Sequence, residues 1–229
     1  TTLALGNVGV GLSALALARR RSGGAPATRA ADATAPTSGA EPARLILWVA
    51  FVAGALSFAL EIAWTRAFAI VMGSSTQSFA AILAAFITGI AAGSAILARL
   101  GPRARPVVAF GWIQVIVGAL ILLPLPLLPY VPWLLGRVAA HLPGTEAGVV
   151  LHAFVRMGAC LLLMLLPALG LGTSIPLLVQ ALARDERRVA TDAGRVYAAN
   201  TAGNVVGALA AGMVALPLLG VERLITVVA

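Results

Sequence analysis

Glu61 and Arg66 stand five positions apart in LEIAWTRAFAIVMGSS (60–75), a stretch that carries no other charge. A carboxylate in apolar surroundings can bind a cation, relay a proton or pair with a buried arginine. His152 and Arg156 lie four apart, which puts them on one helix face and suits a polar pathway or an ion pair. Asn200 and Asn204, in NTAGN, are also four apart. Their amides can face a polar cavity or bond across a helix interface. No second histidine or cysteine accompanies His152, so no metal site and no cofactor is expected, and no residue is assigned a catalytic role. Cys160, the sole cysteine, rules out an intrachain disulfide and reads as a buried, inert thiol.

The elements that must hold these residues are set by hydrophobicity. The chain has 229 residues, 60% hydrophobic and 10% charged, with a mean hydropathy of +0.99. Soluble domains are about a quarter charged. Residues 1–18, 45–60, 67–98, 106–136, 157–183 and 196–221 contain no Asp, Glu, Lys or Arg. A membrane helix needs about 20 apolar residues, so the expected fold is an all-α, polytopic transmembrane bundle of about six spans. Helices are expected over 1–18, 45–72, 77–98, 106–124, 148–183 and 196–219. Residues 73–76 make a turn. The segment 125–147 has four prolines and is expected as an interfacial loop, with Tyr130 and Trp133 at headgroup level. Helix 148–183 needs a kink, which Pro167 or LGLGTSIP can supply, making Thr173 and Ser174 candidates for a ligand-facing kink. Gly89 with Gly93, and Gly203 with Gly207, are small-xxx-small pairs suited to close helix packing.

All 16 basic residues are arginines, and twelve fall within 19–44, 99–105 and 184–195. Alternating spans put those three segments on one side, which the positive-inside rule makes cytoplasmic. Basic nucleic-acid stripes come with exposed aromatics on a soluble fold, so nucleic acid is excluded and the lipid bilayer is the expected partner.

Depth separates the two charges of the opening stretch. Entering at Leu45 with a rise of about 1.5 Å per residue, Glu61 lies about 24 Å along and Arg66 about 32 Å. Arg66 then reaches the far interface, while Glu61 stays submerged. Arg156, about 12 Å in from Gly148, lies near the level of Glu61, and a Glu61–Arg156 pair with His152 nearby is expected.

Three segments taken in order carry a resemblance: FVAGALSFALEIAWTRAFAIVMGSSTQSFAAILAAFITGIAAGSAILARL, LLLMLLPALGLGTSIPLLVQAL and GRVYAANTAGNVVGALAAGMVALPLLG. Together they resemble the membrane region of bacterial fused spermidine synthase-like proteins, which join a transporter-like, often major-facilitator-annotated helical region to an aminopropyltransferase-like domain. The match covers nearly all of 45–220, through Glu-x-x-Trp-x-Arg and Tyr-x-x-Asn-x-x-Gly. It implies a bacterial plasma membrane and a polyamine or other small cation as solute. Enzyme activity is implied for a parent protein only, since no glycine-rich nucleotide loop or catalytic acidic pair is present.

The two ends of the chain resemble each other, so the sequence reads as a piece of a transporter-like six-helix repeat architecture. Residues 1–18 would be the last helix of a preceding repeat, 19–44 a cytoplasmic linker, and 45–229 five helices and the start of a sixth. The missing initiator Met and the ending ITVVA suggest truncation at both ends. Three functions remain open: a module that anchors a fused enzyme and transports polyamine-type substrates, a stand-alone secondary transporter of the major facilitator type, and a structural anchor.

Overall fold

The computed structural model describes residues 6–22, 40–72, 76–102, 105–123, 125–183 and 188–229. Residues 73–75 of the expected turn at 73–76, and most of the expected linker, lie outside the described residues, while Thr76 opens a helix. Among the described residues every regular element is helical: α1 (Gly6–Ser22), α2 (Ala40–Met72), α3 (Thr76–Leu100), α4 (Pro106–Leu122), α5 (Val131–Ala140), α6 (Glu146–Leu182), α7 (Val189–Leu209) and α8 (Leu216–Val228). A 3₁₀ turn (Leu125–Tyr130) precedes α5, and a π turn (Ala210–Ala215) joins α7 to α8. Five helical stretches are long and apolar enough to cross a membrane: 43–69, 82–100, 106–127, 146–182 and 189–228. Gly6–Ala16 and Val131–Ala140 are apolar but shorter.

Local chemistry explains where these boundaries depart from expectation. The proline-rich segment is not irregular throughout. Pro132 sits in the first turn of α5, where its missing N–H costs no helix bond, so a helix follows. Helix α6 starts at Glu146 because Thr145 caps it, its hydroxyl accepting from the Gly148 N–H at 3.3 Å. Helix α7 begins at Val189, seven residues before the charge-free run, since polar residues do not stop a helix from forming at its membrane end. Asp192 lies in its first turn, where the helix dipole favours an anion, and Arg195 pairs with it at 3.5 Å. Gly220 adopts φ 75°, a conformation open to glycine, and breaks α8 after Leu219.

The helices pack in three close pairs, α2 with α7, α3 with α6 and α1 with α4. Helix α6 also touches α2, α4 and α7, and so sits at the centre. Glycines set each seam. A Cβ at Gly203 would strike the Phe51 carbonyl, and one at Gly207 the Ala55 carbonyl, both on α2. Gly89 faces Ala168, Gly93 faces the Leu169 backbone, and Gly172 of α6 faces Ile90 in return. Gly11 and Gly111 meet backbone to backbone between α1 and α4.

Two apolar cores fill the bundle. One gathers Leu60, Trp64, Phe68, Phe86, Val117, Ile121, Met164 and Ile225. The other gathers Ile46, Ala50, Leu97, Phe110, Leu177, Leu178 and Val196. Residues after Gly220 turn back into the first core, with Leu224, Ile225 and Val228 buried. There α8 meets α1 end to end, the Val8 N–H donating to the Ala229 carbonyl at 3.1 Å. Helix α1 therefore packs within the same bundle as α2–α8.

The seams give a paired prediction. Gly203→Ala should force α2 and α7 apart and cost about 1–3 kcal/mol. Gly158→Ala, where a Cβ would meet nothing within 4 Å, should be neutral or stabilise by up to about 1 kcal/mol through helix propensity. Detergent-unfolding midpoints of the two variants check both expectations.

A candidate polar site inside the bundle

Helix α6 keeps helical hydrogen bonding from Glu146 to Leu182 with Pro167 and Pro176 inside it. In a helix each carbonyl accepts from the N–H four residues on. Pro176 has no N–H, so the Gly172 carbonyl loses its partner. A hydroxyl from the neighbouring helix replaces it, Ser94 Oγ of α3 donating to Gly172 O at 2.6 Å. Ser94 reaches that oxygen because Gly172 carries no side chain and the α3 backbone comes close at Ile90. Thr173 donates its hydroxyl to Gly170 O at 2.8 Å, within its own helix.

A second polar group crosses three helices. Ser174 Oγ donates to Gln114 Oε1 at 3.1 Å, and Gln114 Nε2 donates to Asn7 Oδ1 at 3.2 Å. All three side chains are buried, linking α6 to α4 and α4 to α1. Asn7 Nδ2 is buried with no partner among the described residues.

Between the α2–α7 and α3–α6 seams lies a cavity of about 200 Å³. Its polar lining is Ser57 of α2, Ser94 of α3, Ser174 of α6, and Tyr197, Asn200 and Asn204 of α7. Phe58, Phe86, Ile90 and Ile175 give it apolar walls. No charged residue is among those lining it. Counted from the arginine-rich ends of the helices, Ser94 is six residues in from Leu100 and Asn200 eleven from Val189. At about 1.5 Å per residue these are distances of roughly 9 and 17 Å from the helix ends, inside two of the stretches long and apolar enough to cross a membrane.

Gly54 makes room for both asparagines, since a Cβ there would collide with Asn200 O and with both side chains. The Asn204 carboxamide faces two carbonyl oxygens, so its nitrogen must lie on that side. It then donates to Gly54 O at 3.0 Å and to Asn200 O at 3.2 Å.

The ionisable residues singled out from sequence are placed elsewhere. Glu61 is half-buried on α2 and Arg66 is exposed. Arg156 is half-buried on α6. The only ion pair within 4 Å among the described residues is Arg195–Asp192, so the expected Glu61–Arg156 pair is not formed. Equal depth does not fix the azimuth. Helix α2 turns Leu60, Trp64 and Phe68 into the core, and Glu61, about 100° around from Leu60, falls at the edge of that face. His152 does not join Arg156 in a polar pathway. Its Nε2 donates to Leu135 O at 3.1 Å and fastens α6 to α5. No group of three or more His, Cys, Asp or Glu able to hold a metal occurs among the described residues.

Sequence reading missed Ser57, Ser94, Tyr197 and Gln114 as cavity or network members. Gln114 had a signal, as the one amide in the apolar run of α4, where an intramembrane polar group needs a named partner. The serines had none, because a hydroxyl in a membrane helix can bond to its own backbone.

No family model matches this chain, and neither a curated protein nor a solved structure matches it.

The Ser94–Gly172 bond yields a double-mutant test. Ser94→Ala strands a buried carbonyl and should cost about 1–3 kcal/mol. In a Pro176→Ala background the helix can donate its own N–H to Gly172 O, so the same serine substitution should cost measurably less. Unfolding free energies of the two single variants and the double variant check this coupling.

Proposed function

We propose that this chain is a membrane-embedded helical module that holds a small polar solute within the bundle, in the manner of a transporter. The observation that carries this reading is the cavity between α2, α3, α6 and α7, which collects hydroxyls and amides from four helices at membrane depth. Polar groups at such depth are expensive, and those that line a cavity are ordinarily functional. On the sequence resemblance alone, the solute is read as polyamine-type. On the same ground the module is read as the membrane part of a spermidine synthase-like fusion, anchoring an aminopropyltransferase-like domain at a bacterial plasma membrane.

A stand-alone secondary transporter of the major facilitator type uses the same cavity. A purely structural anchor is supported by a different observation: Ser94 and Asn204 both make helix-to-helix hydrogen bonds.

Two measurements bear on the proposal. Protein reconstituted in liposomes should take up labelled putrescine or spermidine above protein-free liposomes, and Asn200→Leu should lower uptake by at least about tenfold. No uptake with or without an ion gradient would count against transport. For orientation, the segments 99–105 and 184–195 should lie on the cytoplasmic side. A cysteine placed at Gly101 in a Cys160→Ser background should react with an impermeant maleimide only after the membrane is opened. One placed at Gly144 should react from outside.

A further inference from the structure

A second hollow shares no residue with the polar cavity. It holds about 160 Å³ and is walled by α1, α2 and α4 near their arginine-rich ends, with α6 behind them. Ala14 of α1, Ile46 of α2, Phe110 of α4 and Leu178 of α6 form its floor, and all four are buried. Ser13 and Leu45 stand at its rim and are exposed, so the hollow is a crevice open to the outside of the bundle. Leu45 and Val107, which also lines it, fall within the first three residues of two stretches able to cross a membrane, 43–69 and 106–127. The crevice therefore lies where apolar chain gives way to charged chain.

Positive charge stands at that boundary. Arg44 directly precedes Leu45, and Arg105 stands two positions before Val107. Consecutive Cα atoms are about 3.8 Å apart, so both arginines start within about 8 Å of a lining residue. Both are exposed, and neither has a carboxylate within 4 Å among the described residues. The segments 19–44 and 99–105, which adjoin this end, carry eight arginines against Asp32 and Glu41. The apolar floor alone does not choose an occupant, and the free cations beside it do.

We infer that the crevice seats one acyl chain of an anionic phospholipid, whose headgroup phosphate lies against Arg44 and Arg105. The two parts of the site match the two parts of that ligand. Ala14, Ile46, Phe110 and Leu178 offer an acyl chain a wholly apolar bed. The guanidinium fork suits phosphate oxygens, and basic pockets between membrane helices bind anionic headgroups. A volume of about 160 Å³ keeps the headgroup outside, at the level of the arginines. A helix is about 10 Å across with its side chains, too wide for this crevice, so a partner helix does not fill it. Helix α1 packs closely on α4 but touches α2 only lightly. A seated chain fills the space between α1 and α2 and helps to hold α1 in the bundle. The inference rests on the reading of the chain as membrane-embedded and not on a solute in the polar cavity.

The test is native mass spectrometry of the full chain in detergent, with dioleoylphosphatidylglycerol and dioleoylphosphatidylcholine as probes that share the same acyl chains. The unmodified protein should hold phosphatidylglycerol at least about tenfold more tightly. Equal retention of the two lipids, or retention of neither, would overturn the proposal. Arg44→Gln combined with Arg105→Gln should bring phosphatidylglycerol down to the phosphatidylcholine level, and unchanged retention would remove both arginines from the site. Arg99→Gln combined with Arg188→Gln takes the same charge from α3 and α7, which do not line the crevice, and should leave retention as it was. An equal loss in both pairs would assign the effect to general surface charge and sink the site. Ser13→Phe, at the exposed rim, should fill the crevice and weaken retention at least about tenfold. Undiminished retention there would mean that no acyl chain lies in the crevice. Excess inorganic phosphate should not displace the lipid, and displacement would reduce the site to a phosphate contact and overturn the role of the crevice. The comparison of the two lipids needs no variant to fold, and its failure leaves the polar cavity untouched as a solute site.

Discussion

Pro176 leaves the Gly172 carbonyl without its helical partner, and the bundle is arranged around that omission. Water is scarce inside a membrane bundle, so the oxygen must find a donor from protein. Ser94 can reach it only if α3 and α6 approach to backbone contact, and that approach needs Gly89, Gly93 and Gly172 along one seam. The same demand for satisfied polar groups appears on the other side of the cavity. There Asn204 can meet Gly54 O only because Gly54, Gly203 and Gly207 let α7 lie against α2. Helix spacing and hydrogen bonding are one constraint in both seams, and the cavity is the space left between them.

Much of the architecture was legible because charge-free runs in a membrane chain mark helices directly. Helices α2, α3 and α4 begin or end within a few residues of the limits those runs suggest. The proline-rich segment was harder. Counting prolines says that no single straight helix can cross it, but not that Pro132 falls in a first turn, where it is harmless. The interior prolines of α6 misled in the opposite sense, since a break is expected unless one knows that a serine 82 positions earlier closes the gap (176 − 94 = 82).

The candidate site was less legible than the helices, for a geometric reason. Rise along a helix can be read from residue number, and it placed Glu61 and Arg156 at one level. Which way each helix turns is set by its neighbours, and that is not written in the spacing. Asn200 and Asn204 stand out as amides in an apolar run, whereas Ser57 and Ser94 look like any small residue. The direction of each hydrogen bond, which decides what the cavity presents to a ligand, exists only once partners from other helices are known.

The contact between Val8 and Ala229 joins positions 221 residues apart (229 − 8 = 221), and this bears on the order of assembly. Helix α1 can dock on α4 through Gly11 and Gly111 as soon as both have formed. The segment after Gly220 needs a surface made by α1, α2 and α4 for its contacts. Loop-closure entropy grows only slowly with length, so the long separation adds little to the equilibrium cost. Its effect is kinetic, because contacts distant in sequence form late. Without that segment, Leu60, Trp64 and Phe68 would have an uncovered flank, since Leu224, Ile225 and Val228 pack in the same core.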